Sequence, residues 1–105
     1  MNLQQLQLHD ADLLGVHLDP VALVAEVSLA YYPSEEATER VLGTLRFKDV
    51  SHFNQIVDLA QLKSHSGAGN VTYWVTGETP GVSYIYLVRG LIAITATSVE
   101  LVTGA

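Results

Sequence analysis

The residues best suited to chemistry form an imidazole and carboxylate group near the start of the chain, at His9, Asp10, Asp12, His17 and Asp19. His17 and Asp19 are two residues apart in a stretch that alternates like a strand, so their side chains share one face. Imidazole nitrogen and carboxylate oxygen are ligands for Zn²⁺ or Mn²⁺, and His9 or Asp10 could complete such a site. The sequence has no compact ligand motif such as His-Glu-x-x-His. The alternative is that Asp10 and Asp12 stabilise a turn while His17 faces water.

Hydroxyls stand beside imidazoles at two places, Ser51-His52 and Ser64-His65-Ser66. Nucleophilic catalysis needs a Ser–His hydrogen bond and a third group that orients the imidazole, and adjacency along the chain provides neither. Gly67-Ala68-Gly69-Asn70 precedes a predicted strand and lacks the lysine of a phosphate-binding loop, so it predicts a turn. We therefore identify no catalytic residue and expect a protein that is not an enzyme and uses no cofactor.

Four aromatic residues, Tyr73, Trp74, Tyr84 and Tyr86, form a further candidate site. Aromatic side chains that share one face of a sheet can bind a base or a sugar. We favour the alternative, that these residues pack in the core or form a dimer interface, because Tyr and Trp are common in both. As candidate ligand-binding residues we retain Trp74, Tyr84 and Tyr86.

The stretch 82–97 must position two of these tyrosines. Residues 82–88 and 91–97 are rich in β-branched and aromatic residues, and Arg89-Gly90 between them suits a tight turn, so we predict a β-hairpin. A two-residue loop segregates the apolar side chains, whereas a three-residue loop would exchange the faces. In the two-residue form one face carries Ile85, Leu87, Ile92 and Ile94, and the other carries Tyr84, Tyr86, Ala93 and Thr95. Both faces are largely apolar, so we expect the hairpin to be central in its sheet or covered by a partner.

Alternating apolar residues predict further strands at 5–8, 13–18, 21–29, 41–48 and 71–76. In the second of these we expect Leu14, Val16 and Leu18 to face inward. The apolar residues Ile92 and Ile94 stand at even-numbered positions, whereas Val99 and Leu101 stand at odd-numbered ones. This change predicts a bulge or kink near Thr97-Ser98.

A helix is predicted over about 52–62, because apolar residues follow helical spacing there and Ser51 can serve as its N-cap. The fold class is thus mainly β, as an antiparallel sandwich or partly open barrel of about six strands with one short helix. The length of 105 residues is that of a single domain.

Eleven acidic and five basic residues give the chain a net charge of −6. Nucleic-acid phosphates and anionic lipids bind clustered Lys and Arg, so we expect neither as a partner. A basic protein partner fits the charge, and Glu35, Glu36 and Glu39 could dock one, although a solvated loop is the simpler use of that segment. Only 15% of the residues are charged, against about 25% in typical domains, which favours a homo-oligomer such as a dimer.

The chain has no cysteine, so disulfides and thiolate chemistry are excluded. Its first residues lack the basic and apolar segments of a signal peptide. No stretch reaches the roughly 18 consecutive apolar residues of a membrane helix. We therefore expect a soluble cytoplasmic protein.

Two segments resemble a group of small uncharacterised bacterial proteins. The opening Leu8-His9-Asp10-Ala11, followed by an apolar strand, is similar to the tetrapeptide with which those proteins begin. The segments 85–88 and 90–96, with Val99-Glu100-Leu101 after them, are similar to their C-terminal hairpins. Some of these proteins are grouped with the immunity proteins of bacterial toxin systems. The resemblance implies a small β-rich binding protein, with no catalytic residues to carry over.

We expect a non-catalytic protein-binding module, immunity-like, that acts as a homodimer. The acidic charge, the two-sided apolar hairpin and the lack of a catalytic constellation in the sequence favour this function. The alternative is a small-ligand or metal-binding protein that uses His9, Asp10, His17 and Asp19.

Overall fold

The structure, a computed structural model, describes residues 8–57, 59–60, 70–76 and 81–103. The described residues form eight strands: β1 (Asp12–Asp19), β2 (Val24–Tyr31), β3 (Val41–Lys48), β4 (His52–Val57), β5 (Val71–Val75), β6 (Gly81–Leu87), β7 (Gly90–Ala96) and β8 (Ser98–Thr103). They assemble into two four-stranded antiparallel sheets, sheet I in the order β1-β2-β3-β8 and sheet II in the order β4-β7-β6-β5. The predicted mainly β fold is confirmed, and of its two alternatives, sandwich or partly open barrel, the structure has the sandwich, with eight strands instead of about six. Ser64-His65-Ser66 and residues 5–7 and 67–69 of the predicted segments lie outside the described residues.

The core lies between the two sheets and is built from alternate residues of each strand. In sheet I the buried side chains include Ala25, Val27 and Leu29 of β2 and Leu45 and Phe47 of β3. Sheet II contributes Ile85, Leu87, Ile92 and Ile94 from β6 and β7. Because successive side chains point to opposite sides of a strand, the remaining residues face outward. The sandwich therefore has two outer faces, one for each sheet.

The chain passes from one sheet to the other at two neighbouring places, between β3 and β4 and between β7 and β8. Lys48 at the end of β3 pairs with Ser98 at the start of β8. The chain bends just after Lys48 and just before Ser98. Thr97 stabilises the bend, since its backbone N–H donates to Lys48 O over 3.1 Å and its Oγ1 donates to Asp49 Oδ2 over 2.9 Å. The predicted kink near Thr97-Ser98 is confirmed as the point where β7 becomes β8.

The predicted helix over about 52–62 is wrong, because residues His52–Val57 form strand β4. β4 pairs with β7 in unbroken register over its full length, and Phe53 packs against the core. Pairing with β7 satisfies the backbone groups along one edge of β4, and this long-range gain overrides a helical spacing of only a few apolar residues. Of the rest of that range, the structure describes only Leu59 and Ala60, which are helical. Among the described residues there is no helix with the length and apolar content needed to cross a membrane.

The hairpin is present, but its turn lies one residue earlier than predicted. Leu87 pairs with Gly90 and Ile85 with Ile92, so the two-residue loop is Val88-Arg89. Each residue's partner is thereby displaced by two positions, which leaves the faces unchanged because side chains alternate with a period of two. The hairpin is central in sheet II as expected, and its second face is open to solvent in the single chain.

A bulge in β1 overturns the predicted inward orientation of Leu14, whereas Val16 and Leu18 lie on the inner side of the strand as predicted, opposite the buried Val27 and Ala25. The register to β2 shifts by one residue between Leu13 and Gly15, so that Leu14 is an extra residue. An extra residue reverses the alternation at that point. Leu13 and Val16 consequently pack against the core, whereas Leu14 is 56% exposed.

Candidate functional site

Sheet II has no Asp, Glu, Lys or Arg in any of its four strands. Sheet I carries six such residues, namely Asp12, Asp19, Glu26, Arg46, Lys48 and Glu100. On a chain with a net charge of −6, sheet II therefore offers an uncharged outer surface. Counting charges strand by strand along the sequence is a signal that could have found this surface.

Most of the outward side chains of sheet II lie in two neighbouring rows that follow from the strand register. One row consists of Ile56, Leu91, Tyr86 and Tyr73, and the other of Asn54, Ala93, Tyr84 and Val75. We call these residues the tyrosine face. Its polar side-chain groups are the tyrosine hydroxyls and the Asn54 amide, so the face combines apolar area with neutral hydrogen-bonding groups.

The three tyrosines of this face form a ladder across β5 and β6. The ring centroid of Tyr86 lies 6.0 Å from that of Tyr73 and 6.1 Å from that of Tyr84. Such separations are typical of favourable aromatic pairs. Tyr73 is 62% exposed, Tyr84 36% and Tyr86 39%. The three neighbouring rings together give the face a contiguous, partly exposed aromatic surface.

Trp74 lies on the opposite side of β5, where it packs against the core. The register to β6 shifts just before Tyr73, so that Thr72 is an extra residue in β5. Thr72 Oγ1 donates to the backbone oxygen of Tyr86 over 3.1 Å, which holds the bulge in place. The predicted ligand-binding set is thus divided: Tyr84 and Tyr86 lie together on the outer face, whereas Trp74 faces the core.

The four predicted metal ligands are spread along the length of β1. His9 and Asp10 precede the strand, with His9 Nε2 3.6 Å from Asp10 Oδ2, whereas Asp19 ends it. Asp19 Oδ1 accepts hydrogen bonds from the backbone N–H groups of residues 21 and 22, both over 3.0 Å, and so stabilises the turn into β2. His17 is exposed within the strand. In the part of the chain that the structure describes, no three His, Asp or Glu side chains converge on a common metal position.

Asp10 and Asp12 belong instead to a junction between the two sheets. Arg40 Nε and Nη2 donate to the backbone oxygen of Asp10 over 3.1 and 3.0 Å, and Arg40 Nη1 lies 3.6 Å from Asp12 Oδ2. Asn70 Nδ2 donates to the other carboxylate oxygen of Asp12. The backbone N–H of Asp10 donates to Val71 O over 2.9 Å, which ties the start of β1 to the start of β5. We call this set the Arg40 junction, and its contacts indicate a structural role.

Ser51 and His52 contact each other, with 3.0 Å between Ser51 Oγ and His52 Nδ1. The expectation that adjacency provides no hydrogen bond is therefore wrong, and the predicted use of Ser51 as a helix cap does not apply because a strand follows it. Both residues are exposed at the bend before β4. A two-residue contact does not orient the imidazole as the third member of a triad does, so we assign the pair no catalytic role.

An open groove runs along the side of the sandwich between β1 and β4. Its larger part has a volume of about 340 Å³ and lies among Leu13, Val16, Leu18, Gln55 and Leu59. A second part of about 200 Å³ continues past Leu18 to Phe53. Among the described strands, β1 pairs only with β2 and β4 only with β7. The groove is therefore an aliphatic surface bounded by two strand edges.

The outer face of sheet I is charged, and its ion pairs shift one pKa. The hydrogen bond and charge of Lys48, whose Nζ lies 3.2 Å from Glu100 Oε1, lower the pKa of Glu100, with a smaller contribution from Arg46. A carboxyl whose pKa is lower in the folded than in the unfolded chain adds stability at neutral pH, and this is lost as the pH falls through the folded value.

We therefore expect Lys48→Met to raise the titration midpoint of the Glu100 carboxyl, measured by carbon NMR, toward that of an ordinary glutamate. Lys48→Arg keeps the charge and should preserve most of the shift. A midpoint that is the same in Lys48→Met as in the wild type would show that Lys48 does not cause the shift.

Comparison of the chain with protein-family models, with curated proteins and with solved structures finds no match. The tyrosine face differs from the outer face of sheet I in charge and composition.

Proposed function

We propose that this chain is a non-catalytic protein-binding module that docks its partner on the tyrosine face. The observation that carries the proposal is the tyrosine ladder across β5 and β6 of a sheet whose strands contain no Asp, Glu, Lys or Arg. Protein interfaces have charge-poor centres enriched in Tyr. Contiguous exposed apolar surface on a small domain is also typical of interaction sites.

The partner that we propose is a basic protein with a neutral apolar patch. The patch matches the tyrosine face, because no charged group of that face has to be buried without a counterion. The rest of the chain is acidic, with a net charge of −6. Attraction over longer distances then steers a basic partner toward the chain and raises the association rate at low salt.

The resemblance of Leu8-His9-Asp10-Ala11 and of the β6–β7 hairpin to bacterial proteins grouped with immunity proteins supports the same proposal. That resemblance implies a small β-rich binding protein, and in this version of the proposal the partner is a toxin. A toxin gene directly upstream of the gene for this chain would favour it.

We expect a double substitution, Tyr73→Ser with Tyr86→Ser, to weaken partner binding by at least about tenfold, since central tyrosines are common hot spots of interfaces. The partner is first captured on the immobilised wild-type chain, then purified and identified. Its Kd for each variant is measured by calorimetry at two salt concentrations.

The matched control is Leu42→Ser with Val102→Ser, which removes two apolar side chains from the outer face of sheet I. Leu42 pairs with Ala30 and Val102 with Thr44, so both face outward there. We expect the control to bind as the wild type does. A purified partner that binds the tyrosine variant and the wild type equally well would refute the proposal.

A further inference from the structure

We propose that β4 is a self-association site, at which the β4 strands of two copies pair antiparallel and join two copies of sheet II into one continuous sheet. The inference is independent of the partner proposed above, because pairing at the strand edge leaves the tyrosine face of both copies open. It assigns a role to the free edge of β4, which the proposed function does not use.

The four edge strands of the described sheets differ in how they are protected. β1 and β5 each contain a bulge, at Leu14 and Thr72, and β8 carries Glu100. Bulges and charges are the devices by which natural proteins prevent edge-to-edge pairing. β4 has neither, since its six residues are uncharged and pair with β7 without a register shift. It is thus the edge that is most ready to accept another strand.

The occupant that we infer is a second copy of this chain, because β4 is a neutral strand that can pair with itself without bringing like charges together. Two molecules that each carry a net charge of −6 repel each other, so self-association requires a contact at which no acidic groups meet. When β4 pairs with itself, the contact is centred on Phe53, Asn54, Gln55 and Ile56, none of which is acidic. A strongly charged peptide would find no opposite charge along this strand.

The geometry of an antiparallel pair limits the register to two central choices. Residues directly opposite each other share a face, so a self-paired strand with matching faces must place one residue opposite its own copy. Near the middle of β4 this residue is Asn54, which faces outward, or Gln55, which faces inward. Two side-chain amides can satisfy each other, because each one has both a donor and an acceptor.

Aliphatic surface beside β4 favours the same contact. Ile56 is 73% exposed and Leu59 is 75% exposed. Leu59 and Gln55 also line the groove between β1 and β4. A strand added to β4 would lie along this open side of the sandwich and remove part of the apolar surface from water, which stabilises the pairing.

The absence of cysteine from the chain makes a crosslinking test direct. Residues opposite each other in an antiparallel pair are close enough for a disulfide. We expect the wild type to sediment as a dimer at tens of micromolar, and either Asn54→Cys or Gln55→Cys to form a covalent dimer under mild oxidation. Thr44→Cys, on the outer face of sheet I, serves as the control that stays uncrosslinked.

A second pair of variants tests the interface without crosslinking. Asn54→Lys places two like charges near the two-fold axis and should give a monomer, whereas Thr44→Lys adds the same charge to sheet I and should leave the dimer intact. A wild type that sediments as a monomer at tens of micromolar would overturn the proposal. So would a dimer that crosslinks through Ala93→Cys of the tyrosine face and through neither β4 position.

Discussion

Replacing Gly43 by alanine is expected to lower the free energy of unfolding by about 2–3 kcal/mol, in the upper part of the usual range for an overpacked core. A Cβ atom on residue 43 would stand 2.6 Å from Cε1 of Tyr31 and 3.3 Å from Cδ1 of Leu101. Tyr31 is only 2% exposed, so its ring cannot swing out of the way without disturbing the core. Urea denaturation of wild type and variant measures the change.

Two comparisons separate this steric effect from the general preference of strands for alanine over glycine. Gly15→Ala is the matched control, because a Cβ there meets no atom within 4 Å, and we expect it to stabilise by about 0.5–1 kcal/mol. In a Tyr31→Leu background, Gly43→Ala should lower the free energy of unfolding much less, because leucine has no ring atom at the position that the added methyl group would meet. An equal loss in both backgrounds would show that the contact with Tyr31 is not the cause.

Arg40→Ala is expected to cost about 1.5–3 kcal/mol, the usual net value of hydrogen bonds made by a charged group. The substitution removes both hydrogen bonds to the Asp10 carbonyl and leaves Asp12 with Asn70 alone. It also removes a guanidinium that lies 4.9 Å from the ring centroid of Tyr32. Thermal unfolding measures the loss, and amide hydrogen exchange at Asp10 should show that the junction opens first.

The control for Arg40 is Arg46, an arginine of similar exposure whose partners all lie within one sheet. Arg46 pairs with Glu26 and Glu100 on the outer face of sheet I, and side-chain ion pairs at a surface contribute about 0–1 kcal/mol. Arg40→Lys should recover little of the loss, because an ammonium cannot reproduce the forked geometry of the guanidinium. Similar losses for Arg40→Ala and Arg46→Ala would contradict the structural role of the Arg40 junction.

The strands of this fold were predictable where alternation is uninterrupted. In β2 and β3 the period of two gives both the strand and its inward face, and in β6 and β7 it places Tyr84 and Tyr86 on the face opposite Ile85 and Leu87 without deciding which of the two faces the core. A bulge leaves no separate mark on the sequence, because an extra residue looks like any other member of the strand. The orientations of Leu14 and Trp74 were therefore beyond a reading of alternation alone.

Contacts between distant segments were the other part that the sequence could not supply. The apolar residues of β4 are spaced as in a helix, and only the pairing of this segment with β7 makes it a strand. The Arg40 junction likewise joins Asp10, Asp12 and Asn70, which are far apart along the chain. Nothing near Arg40 in the sequence indicates these partners, and the aspartates looked equally suited to a metal site.

The pairing of β3 with β8 also bears on how the chain reaches this structure. Residues that are neighbours there, such as Lys48 and Ser98, are about fifty positions apart in the sequence, so sheet I is completed only after a long loop has closed. Domains with such topologies fold in about milliseconds to seconds, far more slowly than helical bundles. Until β7 pairs with β4, both edges of the uncharged β4 segment can pair with other chains. Folding therefore competes with aggregation.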